Sequence, residues 1–335
     1  MAQVTIIGAG SWGSALASIL AWNGHSVKVW SHNPSAVLKM KADRCIEKLP
    51  GNFYPEGIEF FDDLGEACDG SELVVFAVPS TATRATAEKV RLFFKEGVGY
   101  VSVSKGIEEG NLLTQTQIIE EEIPGADVGV LSGPSHAEEV IKKLPTVLVA
   151  GAGDEHLAKR TQDIFMNENL RVYTSSDVMG IEVGASLKNV IALAAGMSDG
   201  LGNGDNARAA LITRGIREIT AIAVAMGGRK ETLFGLAGIG DLIVTCSSIH
   251  SRNHRAGELI GQGVPVKQAM EQIHMVVEGV YSAKAAFELG KKYKVSMPII
   301  TEVNRVLFDG KSAKDAVHDL MCRDKKNEMK EDNWE

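Results

Sequence analysis

A chain of 335 residues, 44% hydrophobic and 23% charged, carries enough apolar material for about two globular domains. Its 43 acidic and 35 basic residues give a net charge of -8, which argues against nucleic acid as the main partner, because phosphate backbones require a clustered basic surface. The cysteines Cys45, Cys68, Cys246 and Cys322 form no C-x-x-C pair, so no metal site or disulfide framework is expected and reduced thiols fit a cytoplasmic location.

In chain order, the first half alternates strand-like runs with helical stretches. The strands are read at Gln3–Ile7, Ser26–Trp30, Leu73–Val78, Gly99–Ser104, Asp127–Leu131, Thr146–Ala150 and Arg171–Thr174. Most are rich in Val and Ile with little polar alternation, as expected for strands buried on both faces. This predicts an α/β fold with a doubly wound, mostly parallel, Rossmann-like N-terminal domain over 1–180. After about Asp177 the strands stop. Helical patterns follow at Val178–Gly200, Asn206–Met226, Arg252–Gly261, Gly279–Tyr293 and Ile299–Asp309, predicting an all-helical substrate and catalytic domain over 181–335. The charged tail Arg323–Glu335 is expected to fray. No uninterrupted apolar run approaches the ~18 residues of a membrane span. The N-terminus lacks the basic region of a signal peptide.

The segment from Val4 to Leu16 reads as strand, tight turn and helix around Gly8-x-Gly10-x-x-Gly13. Gly8 permits the turn, Gly10 lets the backbone approach a pyrophosphate, and Gly13 lets helix and strand pack closely. The phosphates would sit on free N–H groups at the helix N-terminus. An NAD-specific site usually carries Asp or Glu at the end of the second strand. Here the chain reads Trp30-Ser31-His32-Asn33, with no carboxylate to repel a 2′-phosphate. NADP(H) is therefore expected beside NAD(H), and His32 is a candidate donor to that phosphate or else a solvated loop residue.

On the helix from Ile181 to Ala195, Glu182, Ser186 and Asn189 form a polar stripe, and Lys188 lies about 100° away from it. Its neighbours at helical spacing are Ile181, Gly184, Ala185, Ala192 and Ala195. Such a cation is snorkelling, structural or functional. Desolvation would bring its pKa towards neutrality, which suits proton exchange with a substrate oxygen. Other polar clusters stand at element ends: Ser104-Lys105-Gly106, Gly133-Pro134-Ser135-His136, Gly238-Ile239-Gly240-Asp241 and Ser251-Arg252-Asn253. The last suits a phosphate, since the planar fork of an Arg binds two oxygens at once. Each cluster alone also reads as turn chemistry, a helix cap or a solvated face.

The motifs GAGSWGSAL, VSKGIE, LSGPSHAEEV, SLKNVIALAAGMSDGLG, NARAALITRG, GIGDLIVTC, HSRNHRAG and VVEG occur in order between residues 8 and 279. In this combination the chain resembles the bacterial NAD(P)-dependent sn-glycerol-3-phosphate dehydrogenases. The resemblance implies reversible reduction of dihydroxyacetone phosphate to sn-glycerol 3-phosphate, feeding phospholipid synthesis. It implies that Ser11, Trp12 and His32 contact the cofactor, with Ala137, Val276 and Glu278 closing over it, and that Lys188 is the proton donor and acceptor. Lys105 would touch both ligands. Gly133, Ser135, Asp241, Ser251, Arg252 and Asn253 would hold the glycerol phosphate, Arg252 also reaching the cofactor. A homodimer is implied by analogy. Many relatives have Tyr-Leu-Pro where this chain reads Lys48-Leu49-Pro50, so a tyrosine contact to the cofactor is not expected at that position. Two rival readings are a related dehydrogenase acting on a hydroxy acid and a non-catalytic NAD(P)-binding regulator.

Overall fold

The computed structural model describes residues 1–325 and 327–328. Much of the charged tail (residue 326 and residues 329–335) lies outside the described residues, while Glu328 accepts hydrogen bonds from Arg214 and Arg217.

Eight strands form one sheet: β1 (Gln3–Ile7), β2 (Ser26–Trp30), β3 (Ile58–Phe61), β4 (Leu73–Phe76), β5 (Gly99–Ser102), β6 (Asp127–Ser132), β7 (Thr146–Ala152) and β8 (Leu170–Ser175). Their order is β3-β2-β1-β4-β5-β6-β7-β8. The first six are mutually parallel, β7 runs antiparallel to β6, and β8 is parallel to β7. All seven strands expected from the sequence are present, with ends shifted by at most two residues, and β3 is an addition. The strand order reverses at β1, between β2 and β4. That places a crevice beyond the carboxyl ends of β1 and β4, where open α/β sheets bind ligands.

The helices of this half are α1 (Ser11–Trp22), α2 (Pro34–Asp43), α3 (Leu64–Cys68), α4 (Thr83–Val90), α5 (Gln115–Glu122), α6 (Ala137–Val140) and α7 (Glu155–Phe165). Val4, Ile6, Leu16, Leu20, Val27 and Val29 are buried together between sheet and α1, as Val/Ile-rich strands covered on both faces require.

The second half contains α8 (Val178–Gly200), α9 (Gly204–Ala225), α10 (Lys230–Leu233), α11 (Asp241–Ser247), α12 (Arg252–Gly261), α13 (Val266–Ile273), α14 (Glu278–Tyr293), α15 (Pro298–Phe308) and α16 (Ala313–Met321). A π-helical turn, Leu236–Gly240, leads directly into α11. By length and composition α8 is apolar enough to cross a membrane, yet every residue from Gly180 to Ser198 is buried inside the fold. It is the axis on which the other helices pack. Against α12 the two backbones almost touch. A Cβ on Gly196 would stand 2.0 Å from the His254 carbonyl oxygen, and one on Gly257 would stand 2.2 Å from that of Leu193. Gly200 and Gly261 repeat the arrangement one turn further along. Small residues on both helices thus remove the side-chain layer that normally keeps axes 8–10 Å apart.

Candidate active site

The N-terminus of α1 meets the requirements of a dinucleotide phosphate. Gly8 has φ +117°, and a Cβ there would lie 2.6 Å from the carbonyl oxygen of Ala77, the residue after β4. Around the Cβ position of Gly10 there is no atom within 4 Å. Gly10 is also the N-cap, with no side chain accepting from the first turn, so the N–H groups of Ser11, Trp12 and Gly13 have no helical acceptor. Gly13 sits so close to the Gly8 carbonyl oxygen that a Cβ would be 2.1 Å away. The indole N–H of Trp12 is buried without a partner among the described residues. An open cradle of unpaired donors on a positive helix end fits a pyrophosphate. α6 packs on α1, with Ala137 in the same apolar cluster as Ala15 and Leu16 and with Trp12 against it. His32 is exposed after β2, its ring centroid 6.4 Å from that of Trp30. Val276 is half-buried in the turn before α14. Lys48 is exposed, and the nearest tyrosine in sequence, Tyr54, is instead buried behind α1 against the Ser14 hydroxyl at 2.6 Å.

The centre of the site joins both halves of the chain. Lys188 is buried, 5% exposed, in the middle of α8. Its ammonium donates to Asp241 Oδ1 and, at 2.8 Å, to the Thr245 hydroxyl, which in turn donates to the Asp241 carbonyl oxygen. The other Asp241 oxygen accepts from Lys105 Nζ at 2.9 Å, and Lys105 also donates to the Gly133 carbonyl oxygen at 3.2 Å. One carboxylate, 1% exposed, therefore serves two ammoniums. Lys105 stands just past β5 and Gly133 just past β6, at the carboxyl edge of the sheet. Burial pulls the Lys188 pKa down to about 7, helped by the nearby charge of Lys105 and opposed by Asp241. Desolvation of Asp241 is outweighed by its two cations, which hold its pKa below the ordinary carboxylate range. The site thus keeps a fixed anion beside an amine poised near neutrality. His136, the last residue of the Gly133-Pro134-Ser135-His136 cluster, has its pKa lowered first by burial and then by the charge of Lys188.

The cluster Ser251-Arg252-Asn253 opens α12. Ser251 is the N-cap, its hydroxyl accepting from His254 N at 3.2 Å. The Asn253 carboxamide is committed elsewhere: it donates to Asn189 on α8 at 2.9 Å and accepts from Gly279 N on α14 at 2.9 Å. What Asn253 can offer an anion is its first-turn N–H. Arg252 is half-buried, and its charge reaches the Glu278 carboxylate. Glu278 accepts from both N and Oγ of Ser80, at the carboxyl edge beyond β4. Burial raises its pKa and these bonds partly offset the rise. Ser135 does not cap α6; its hydroxyl donates to the Gly133 carbonyl oxygen at 2.8 Å.

Among the expected site residues, Lys105, Gly133, Lys188 and Asp241 are thus in direct contact. Ser251, Arg252 and Asn253 form one helix end joined to α8 through Asn189. Thr245, Asn189 and Ser80 belong to the assembly and were not expected. Thr245 lies four residues after Asp241, a same-face spacing that could have revealed it, and Asn189 was already on the polar stripe. Glu182, from the same stripe, is structural: it accepts from Thr116 N at 3.0 Å and from the Thr116 hydroxyl.

Two family models cover most of the chain. NAD-dependent glycerol-3-phosphate dehydrogenase N-terminus matches residues 3–158, and the corresponding C-terminus model matches residues 177–318. A glycerol-3-phosphate dehydrogenase [NAD(P)+] of Agathobacter rectalis is 58% identical over 336 residues, covering 100% of both chains. That of Fusobacterium nucleatum is 51% identical over 98% of this chain and 99% of its own. The crystal structure of glycerol-3-phosphate dehydrogenase from Coxiella burnetii superposes with a TM-score of 0.93 at 35% identity, over 96% of this chain and 99% of that one. With both halves matched and relatives aligned along their full lengths, the chain belongs to the NAD-dependent glycerol-3-phosphate dehydrogenase family.

Proposed function

We propose that the protein reversibly reduces dihydroxyacetone phosphate to sn-glycerol 3-phosphate with NADPH or NADH. The observation that carries this reading is the buried Lys188–Asp241–Lys105 contact, which sets an amine of near-neutral pKa beside a fixed anion at the ligand-binding edge of the sheet. The names of the relatives support the substrate and both cofactors. In this reading residues 1–180 hold the dinucleotide and residues 181–335 supply the substrate site and catalytic lysine. Gly8, Gly10, Ser11, Trp12 and Gly13 hold the pyrophosphate. His32 faces the adenosine end, and Ala137, Val276 and Glu278 close the cleft.

When bound, the nicotinamide supplies the hydride that reduces C2. Lys188 donates its proton to the C2 oxygen as that oxygen gains charge, and takes it back in the oxidative direction. Asp241 keeps the ammonium aimed and compensates the paired cations. Lys105, with Gly133 and Ser135 beside it, orients the substrate. Arg252 and the first-turn N–H groups of α12 take the phosphate, where helix dipole and guanidinium act on the same anion. Burial excludes water from the proton-transfer step.

A spectrophotometric assay tests the reading: NADPH is consumed when dihydroxyacetone phosphate is added, and unphosphorylated dihydroxyacetone is a much poorer substrate. Lys188→Ala lowers kcat by about 100-fold or more, the scale of lost general acid catalysis. Full activity in that variant overturns the assignment. The reading also includes a cytoplasmic homodimer supplying glycerophospholipid synthesis. The location is supported by four free cysteines, and fractionation and sedimentation velocity check location and pairing.

A further inference from the structure

We infer that His254 is a positioning residue for the phosphate-binding turn of α12, acting through Asp199 and Arg208. The inference rests on the reading above that Ser251, Arg252 and Asn253 hold the substrate phosphate.

His254 is the third residue of α12 and stands one position past Asn253. Its imidazole Nε2–H donates to Asp199 Oδ2 at 2.6 Å. Asp199 lies near the end of α8 and is itself held from α9, where Arg208 Nε donates to its two oxygens at 3.2 and 3.0 Å. Arg208 is anchored in turn by Asp205 at 2.8 Å. The side chains of His254 and Asp199 are 14% and 11% exposed, so the pair is largely shielded from solvent screening.

The geometry explains why such a contact is needed. Near the start of α12 the backbone rests on Gly196 with no side-chain layer between the helices. Close glycine packing fixes the separation of two helices but offers few interlocking side chains to fix rotation or sliding. Two polar side chains do that here. Asn253 reaches Asn189 and His254 reaches Asp199, points about 15 Å apart along α8. They leave α12 about 100° apart around its axis, so together they fix the direction of the first turn. Without His254 the turn pivots on Asn253 alone. Arg252 lies between the N-cap and Asn253, so the pivot moves the guanidinium and the first N–H groups against Lys188, which is carried by the same α8. Arg208 keeps the Asp199 carboxylate in place whether or not His254 is present, which separates loss of position from general loosening of α8.

The test is steady-state kinetics of the full-length enzyme with dihydroxyacetone phosphate, with inorganic phosphate as competitive inhibitor. His254→Ala raises KM for dihydroxyacetone phosphate about tenfold, raises the phosphate inhibition constant in parallel, and leaves kcat within about twofold, the pattern of lost ground-state binding. His254→Gln, which retains a donor towards Asp199, recovers most of the KM. His254→Leu fills the space without the donor and gives the alanine result should alanine prevent folding. Unchanged KM and phosphate inhibition in the alanine or leucine variant overturn the inference, as does a failure of glutamine to recover KM. Arg252→Ala distinguishes the two levels. If it leaves KM and phosphate inhibition unaltered, the phosphate does not bind at this turn; if it raises both while His254→Leu does not, only the positioning role fails.

Discussion

Replacing Gly257 with alanine tests whether the near-contact of α8 and α12 sets the catalytic geometry. Gly257 touches no expected ligand. A Cβ there lies 2.2 Å from the Leu193 carbonyl oxygen, short of an ordinary 3.4 Å contact by about 1.2 Å. The opposing atom is helix backbone, hydrogen-bonded within α8, and has no rotamer through which to yield. The helices must therefore separate by about 1 Å, and overpacking of this kind costs about 1–3 kcal/mol. Arg252 and the first turn of α12 travel with the displaced helix, while Lys188 stays with α8. A 1 Å misplacement of reacting groups is worth about 100-fold in rate. The variant should lose about 100-fold in kcat/KM for dihydroxyacetone phosphate and show a lower urea midpoint. Gly153→Ala is the control, because its Cβ position has no atom within 4 Å and its φ is ordinary. A Gly257→Ala enzyme with kcat/KM within threefold of the parent refutes the coupling of helix separation to catalysis.

Three further expectations follow from the site. Lys188 must be protonated for reduction and neutral for oxidation, and its free-enzyme pKa is lowered to about 7. So kcat/KM for reduction should fall tenfold per unit as pH rises above about 7, and that for oxidation should fall as pH drops below it; profiles with the same sign in both directions would remove Lys188 from the proton step. Asp241→Asn removes the charge that raises the Lys188 pKa, so the inflection of the reduction profile should move to lower pH, together with a large loss of kcat. Glu182→Ala leaves the N–H and hydroxyl of Thr116 without their buried acceptor and should destabilise the fold by about 3 kcal/mol in urea unfolding.

Sheet and helical halves were readable because their signals are local. β1, β4 and β6 are short apolar runs buried at nearly every residue, as strands covered on both faces are. β3 was not read because it is a four-residue edge strand, with Glu59 exposed between buried Ile58 and Phe60, following a turn at Gly57. The reversal of β7 was also hidden. A Val/Ile run is the same in either direction. The only helix between β6 and β7 is the four-residue α6, about 6 Å long, with Lys143 at φ +58° after it, too little helix to carry the chain back along the strands as a parallel crossover does. Lys188 stood out as a cation among small apolar residues, and Asp241 as the end of a polar cluster to which only the resemblance gave a role. Their meeting could not be read at all, because Lys105, Lys188 and Asp241 are far apart in sequence and only tertiary packing brings them together.

The reversed β7–β8 pair also makes α8 a ruler. Because β8 runs against the first six strands, the chain leaves the sheet heading away from the ligand edge, and α8 must climb back. Ser175 ends β8 level with Gly151, which pairs with Val130. Ile181 packs at that level, against Val130 and beside Gly151. From Val130 to Gly133 the strand direction advances three residues, about 10 Å. From Ile181 to Lys188 the helix advances seven residues, also about 10 Å. Seven helical steps and three extended ones cover the same rise, and Lys188 meets Asp241, which Lys105 links to the Gly133 carbonyl. One residue inserted or deleted between Ile181 and Lys188 would shift the ammonium by about 1.5 Å and swing it by about 100°, out of reach of Asp241. Length changes in the turn between Ser175 and Val178 leave that measure intact. Within this helix the spacing of residues is therefore as much a part of the active site as their identity.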